Sequence, residues 1–549
     1  MRAACALAAA LALAGCGGED LKNCAALRTS APQQALAHCN SALANHLVFG
    51  QRRAQAFIDR GTLRADAREW DLAIADFGRA IAVEKLAPAN RVIAYYDRGS
   101  ARLQKGDLEG ALADLGEALK IDPKHADALS NRALARRMKG DFDGAIGDAS
   151  DALRTNPKHA KALVQRGAAR LLKGDGQGAL ADLDEAVRLD PALGAARNVR
   201  GVIHRARGDS RSAFVDFEAA LKLDPKDAAA LRNRASILVA RRDFERALAD
   251  LDASLKLEPQ SLEALVRRAA LREERQDFKG GIADLDAAAR LAPKNPGIFY
   301  GRGLMLAKTG ALERALADLE RSLELDPRRA DGYNARGWIR LQKKDLAGAV
   351  ADFDRALALN PRHLLALGNR TQAHMQAGDH ARTLADLEAL GRLAPESRNH
   401  RSIGLMQFYL GRYAESAAAM GEALRQAPGE HYAAIWRYLA QSRLGQAKEA
   451  RAALAEAART LPAKWPAAAV EHYLGRANEP AVFAAANDPD PKKRADQLCE
   501  ANFYVAMGKL LRNQGAQAVP QLQAAEKDCP RDFAEYSGAV IELKKMKAR

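Results

Sequence analysis

Nine prolines mark out the middle of this chain at one interval. Pro123, Pro157, Pro191, Pro225, Pro259, Pro293, Pro327, Pro361 and Pro395 follow one another every 34 residues. A fixed period of this size belongs to chains built from one small unit stacked on copies of itself. Such a core grows by stacking, so 549 residues do not require the three or four globules that ~150 residues per domain would suggest. Aromatic residues make up only 5% while apolar residues reach 48%. The interior must therefore come mostly from Ala and Leu, which favour helices.

Each unit reads as two helices. In residues 92–125 the first helix is expected over about Val92 to Gln104 and the second over about Leu108 to Ile121. Gly106-Asp107 makes the turn between them, and Pro123 ends the second. Small residues fall where the helices must approach: Gly99, Ala111 and Ala118, with Leu115 filling the gap. The same offsets recur as Gly167, Ala179, Leu183 and Ala186, and as Gly337, Ala349, Phe353 and Ala356. In these positions the chain resembles the tetratricopeptide repeat (TPR) family. The resemblance implies an all-α fold, a right-handed TPR superhelical solenoid of about 12–13 helix-turn-helix hairpins with capping helices. The register begins at Gly61, Ala73, Phe77 and Ala80 and continues through Gly404, Gly411, Ala423 and Pro428 to Gly445, Ala450 and Pro462. The solenoid is thus expected over residues 54–464. An Ala-rich break from Trp465 to Pro491, a divergent hairpin from about Cys499 to Pro530 and a last helix from Phe533 to Met546 form the segment 465–549.

The N-terminus carries a different signal. Arg2 precedes an apolar stretch, Ala3 to Leu13, too short to span a bilayer. A charged start and a short apolar run suit a secretory signal over residues 1–15. The following Leu13-Ala14-Gly15-Cys16 resembles the lipobox of bacterial lipoproteins, which implies lipidation at Cys16. Gly17 stands where an Asp would favour inner-membrane retention, so the resemblance points to the outer membrane. Beyond Cys5 and Cys16 four cysteines remain, an even number suited to two disulfides in an oxidising compartment. Their order suggests Cys24–Cys39, stapling an N-terminal cap over residues 16–53, and Cys499–Cys529. The latter joins the two ends of an antiparallel hairpin.

Charge is arranged by the same register. The residue before the repeat glycine position is Arg60, Arg98, Arg132, Arg166, Arg200, Arg234, Arg268, Arg302, Arg336 and Arg370. The matching second-helix position is Asp76, Asp114, Asp148, Asp182, Asp216, Asp250, Asp284, Asp318, Asp352 and Asp386. TPR sequences more often carry Leu at the first position and an aromatic residue at the second. The two charges stand at the same height on facing helices, and they predict a structural ladder of Arg–Asp contacts within or between hairpins. A charged lining that binds ligand is the functional alternative.

The formal charge of +15 comes from charges interspersed along the chain, apart from the Lys544–Arg549 tail. Interspersed charge reads as a solvated helical surface and gives no reason to expect nucleic acid. The sequence shows no zinc-type cysteine pairing, no phosphate loop after a strand and no nucleophile elbow. No enzyme activity, metal or cofactor is expected. His125 and His159, which follow the loop prolines, read as solvated. Protein binding is the remaining option. The TPR register would place Tyr96, Leu103, Met138, Leu171, Asn198, Tyr300, Asn334, Trp338, Met375, Phe408 and Tyr409 on a concave face of first helices. Val202, Leu304 and Leu341 would join them.

The C-terminal segment runs Trp465-Pro466, Glu471-His472-Tyr473-Leu474-Gly475, Cys499-Glu500-Ala501-Asn502-Phe503-Tyr504 and Glu535-Tyr536-Ser537-Gly538. It looks like the end of the NlpI-type TPR lipoproteins of Gram-negative bacteria. That resemblance implies a lipid-anchored outer-membrane adaptor facing the periplasm, which docks envelope proteases or peptidoglycan enzymes. It carries over no contact residue, and this chain has many more repeats. The rival function is a TPR component of polysaccharide export or envelope assembly.

Overall fold

The computed structural model describes residues 18–394 and 399–548. Among these residues all regular structure is helical, and no strand occurs. The chain divides into two compact units, residues 1–271 and 272–549. In the first, the helix Pro32–Ala44 precedes hairpins such as Gly50–Asp66 with Trp70–Ile81, Pro88–Lys105 with Leu108–Ile121, and Ala160–Leu172 with Gly176–Leu189. In the second, Ala330–Gln342 pairs with Leu346–Leu359, Leu364–Gln376 with His380–Leu393, His400–Tyr409 with Tyr413–Gln426, and His431–Arg443 with Ala447–Ala457. Within each unit the first helix of one hairpin also touches the first helix of the next. The helix expected from Val92 begins instead at Pro88, because proline fits the first helical turn.

The turns explain the punctuation. Gly106, at φ +87°, closes the first helix in the left-handed region. Asp107 then caps the second, its carboxylate accepting from the Gly110 amide at 2.9 Å. Asp141, Asp175, Asp209 and Asp345 do the same in their hairpins. His125 and His159 are not solvated loop residues. Each Nδ1 accepts from the backbone amide three residues on, at 3.2 and 3.1 Å, and so caps a first helix.

Packing inside a hairpin rests on the small positions. Ala111, Ala118, Ala179 and Ala186 are wholly buried. A Cβ built on Gly201 would stand 2.6 Å from Phe217 Cε1. Gly201→Ala is therefore expected to cost about 1–3 kcal/mol through overpacking. Gly116 lies inside a helix with nothing within 4 Å of such a Cβ, so Gly116→Ala should stabilise by roughly 0.5–1 kcal/mol. Urea midpoints of the two variants test this pair, and equal signs would refute it.

Arg and Asp meet inside the hairpins that carry the register pair as a two-pronged contact. Arg98 Nε and Nη2 donate to Asp114 at 2.8 and 2.6 Å, and Arg132, Arg166, Arg200, Arg234, Arg302 and Arg336 make the same fork to Asp148, Asp182, Asp216, Asp250, Asp318 and Asp352. The forks Arg60–Asp76 and Arg370–Asp386 extend the series. These aspartates are buried. A second arginine one turn further on completes several sites: Arg102 Nη1 reaches Asp114 at 2.8 Å and Arg170 Nη1 reaches Asp182 at 2.8 Å. The ladder also joins hairpins. Arg200 Nη1 donates to Asp184 at 2.9 Å, Arg268 to Asp252 at 2.6 Å and Arg302 to Asp286 at 2.7 Å, each aspartate lying on the preceding hairpin. Arg268 and Asp284 stand at the same register positions, one in each unit.

At the N-terminal end, Cys24 and Cys39 are bonded at 2.02 Å. At the other end, Cys499 and Cys529 are bonded at 2.16 Å. Cys16 lies outside the described residues. The segment expected as a break holds two short helices, Ala467–Tyr473 and Glu479–Ala485. The last hairpin starts at Pro491 and not Cys499, because Asp490 caps it by accepting from the Lys492 and Lys493 amides at 2.8 and 3.1 Å. Its second helix is Gly515–Asp528, and Ala534–Lys547 is the last helix of the described residues.

Candidate functional site

Two regions gather the residues that can meet a partner. The first, in each unit taken by itself, is the face of its first helices. Met138, Trp338 and Met375 lie open there, with 53%, 38% and 46% of their surface exposed. Tyr96 is half-buried, stacked on His125 at 4.9 Å. Tyr300 sits under the Arg329 guanidinium at 4.8 Å. Leu171, Val202 and Leu304 are partly buried against the core.

Several expected groove residues do other work. Leu103 and Leu341 are buried and Phe408 is only 2% exposed. These three turn into the hairpin core, because their helix positions face the second helix or the neighbouring hairpin. Phe408 meets the edge of Trp436 at 4.9 Å. Asn198 and Asn334 serve the stack itself. Asn233 Nδ2 donates to Asn198 Oδ1, and Asn369 Nδ2 to Asn334 Oδ1, both at 2.9 Å. Each bond ties one hairpin to the next.

The second region is a cavity of about 460 Å³ within the second unit. The helices Leu364–Gln376, His380–Leu393, His400–Tyr409, His431–Arg443 and Pro491–Leu511 wall it, and the strap Arg531–Ser537 closes one side. Tyr409, buried though expected in an open groove, donates its hydroxyl to the Ala534 carbonyl at 2.7 Å and so holds that strap. Trp436 forms the floor, stacked on Phe503 at 5.5 Å.

Two buried carboxylates line this cavity. Glu500 accepts from Tyr432 Oη at 3.0 Å and from Trp465 Nε1 at 2.8 Å. Glu535 accepts from Tyr504 Oη. Burial pushes the Glu500 carboxyl up to about 7, with the charges of Glu535 and Asp496 adding to the rise. Burial raises Glu535 as well, against the pull of its Tyr504 bond and the Arg401 charge. Burial keeps the His380 imidazole, also in the wall, below its ordinary range. Arg401 at the rim is engaged by Glu430 at 3.5 Å.

This arrangement makes stability fall as pH rises. The unfolded Glu500 loses its proton near the ordinary carboxyl value of 4.5 while the folded one keeps it to about 7. The folded state binds the extra proton between those values, so stability is full below the lower one and is lost through the upper one. Glu500→Gln keeps an acceptor for Tyr432 and Trp465 but cannot ionise. It should be near neutral at pH 4 and stabilise by on the order of 2–3 kcal/mol at pH 8. Urea melts at both pH values measure it, and an unchanged pH slope in the variant would refute it.

Sequence reading missed this site. Glu500 and Glu535 both stand in the C-terminal motifs, but nothing periodic links them to Tyr432 or Tyr409. The buried spacing signal that found the ladder has no counterpart here.

Stacked two-helix hairpins in one register, with the first helices presenting a side-chain face, define a helical repeat protein. The repeat model for TPR matches residues 99–140. The tetratricopeptide repeat model matches residues 130–193, 198–261, 233–296, 266–330, 300–363 and 334–398. The chain belongs to the tetratricopeptide repeat family. No curated protein matches it. Among solved structures it is similar to a TPR protein from Parabacteroides merdae, at 20% identity and a TM-score of 0.36, over 46% of this chain and 98% of that one. PilF of Pseudomonas aeruginosa shares 23% identity at a TM-score of 0.33, over 38% and 94%. The Cut9–Hcn1 hetero-tetramer of the APC/C shares 16% at 0.36, over 76% and 94%. These likenesses concern the fold alone.

Proposed function

We propose that the chain is a non-catalytic adaptor, anchored by lipid on Cys16 to the outer membrane, that holds proteins of the periplasm against its first-helix faces. The TPR family supplies the general role, a protein-interaction scaffold. The observation that carries the reading is the run of hairpins in one register, which leaves side chains such as Met138, Trp338 and Met375 open on first helices while the second helices carry the ladder's aspartates. The lipobox-like Leu13-Ala14-Gly15-Cys16 and the two bonded cysteine pairs support the compartment. Envelope proteases and peptidoglycan enzymes are the partners this reading favours. No helix among the described residues is long and apolar enough to cross a membrane.

Mass spectrometry of the mature N-terminus tests the anchor. The expected product begins at an acylated Cys16, and Cys16→Ser should move the protein to the soluble periplasmic fraction. An unprocessed N-terminus on a cytoplasmic protein ends this reading. Cross-linking in cells tests the face: envelope adducts should be lost in a Trp338→Ala, Met375→Ala double variant that keeps the wild-type melting curve.

A further inference from the structure

We infer that the cavity lined by Glu500 and Glu535 is a binding site for an organic cation, an ammonium or guanidinium group carried by a basic peptide side chain or by a free amine.

The argument begins with an exception. The forked aspartates of the ladder each meet an arginine. The other buried acid of the terminal helix, Glu542, meets Arg443 at 2.7 Å and Lys545 at 3.0 Å. Glu500 and Glu535 are 7% and 3% exposed. Among the described residues no basic side chain forms an ion pair with either. They receive neutral donors instead: two on Glu500, one on Glu535. Buried carboxylates ordinarily sit beside a counter-charge, because desolvation is otherwise uncompensated. Here they share a wall of one cavity whose 460 Å³ is room for a group of several heavy atoms.

The rest of the lining suits the same guest. Tyr409, Tyr432, Trp436 and Phe533 supply aromatic rings, and such rings attract a desolvated cation by roughly 0.5–2 kcal/mol each. Tyr432, Trp465 and Tyr504 hold the carboxylates in place before a guest arrives, so little ordering remains to be done on binding. Rings in place of oxygen donors favour an organic cation over a metal ion. Arg401 at the rim pairs with Glu430, lies 5.9 Å from the Tyr432 ring centroid and acts on Glu535 only through space, and Arg531 in the strap is followed at once by Asp532. Met375, at the cavity edge, lies open on the first-helix face, the place from which an extended peptide would send in a lysine. That peptide source rests on the adaptor reading; the cavity's preference for a cation does not.

Isothermal titration of the purified mature chain at pH 7 decides the matter. The probes are cadaverine and a blocked Ala-rich peptide with one Lys, against the same peptide with norleucine. Expected results are saturable binding of the Lys peptide and of cadaverine, none of the norleucine peptide, and loss of affinity by tenfold or more in Glu535→Gln and in Glu500→Gln. A second signature is proton release. A bound cation favours the ionised pair, so apparent heats should differ between buffers of different ionisation enthalpy, and affinity should rise from pH 6 to pH 8. Melting curves show that the variants are folded. Absence of binding by both amines, or binding unchanged in both variants, overturns the proposal. Cadaverine binding without Lys-peptide binding keeps the site and removes the peptide source. Because purified protein is used, failure of the envelope localisation leaves this outcome separately readable.

Discussion

Replacing Asp250 with alanine is expected to remove on the order of 3–5 kcal/mol of stability, more than an ordinary surface change by an order of magnitude. Asp250 is buried and accepts from Arg234 Nε at 2.8 Å and Nη2 at 2.7 Å. The guanidinium is held charged by that fork, which raises it further above its ordinary range. Removing the carboxylate leaves a largely buried cation with its main partner gone. Arg234→Ala leaves a buried anion in the same position and should cost a similar amount. The double variant loses both charges together, so its cost should fall well short of the sum, with a coupling on the order of 1–3 kcal/mol. Arg234→Met with Asp250→Leu should come close to the wild type, because apolar side chains of similar size avoid both desolvation costs. Urea unfolding followed by far-UV circular dichroism supplies the cycle. Additive single costs would show that the fork contributes no mutual energy.

The same pair shows why the ladder was legible in the sequence. Arg and Asp replace a Leu and an aromatic residue together in unit after unit, and two residue types that change together in a fixed register imply contact. The second arginine was as visible in principle, at Arg64, Arg102, Arg136 and Arg170. It was missed because other units carry His204, Leu238 or Leu306 there, so no invariant column announces it. The bridging aspartates Asp184, Asp252 and Asp286 were missed for a different reason: their partner lies in the next hairpin, and the sequence does not state how hairpins lean on one another.

The cavity marks the opposite limit. Tyr432, Glu500 and Glu535 come together through tertiary folding of a cap that has left the 34-residue period. The repeat register places Phe408 and Tyr409 in a groove. Here the next hairpin supplies Trp436 and the cap supplies the strap Arg531–Ser537 as neighbours, and both rings become buried. Register predicts which helix face a residue occupies. It does not predict whether a terminal element later covers that face.

Reducing the Cys499–Cys529 bond is expected to cost the cap about 3–4 kcal/mol, from a loop closure over a separation of 30 residues. The bond across a separation of 15 between Cys24 and Cys39 should contribute about 3 kcal/mol by the same chain-entropy argument. The C-terminal bond has the greater functional reach because of what it tethers. Cys499 adjoins Glu500, and Cys529 closes the helix from which the strap carrying Phe533 and Glu535 departs. Freed, that strap keeps the Tyr409 bond to Ala534 and the ring contacts of the terminal helix, but loses its covalent fix to the Pro491–Leu511 helix. A repeat stack transmits stability mainly between neighbours, so the loss should stay local. Hydrogen exchange on a Cys499→Ala, Cys529→Ala variant should show protection falling across Gly515–Asp528 and Ala534–Lys547 by about two orders of magnitude. Hairpins in the first unit should exchange as before. A uniform loss of protection along the whole chain would mean that the cap is not an independent cooperative element and that the bond acts on global unfolding instead.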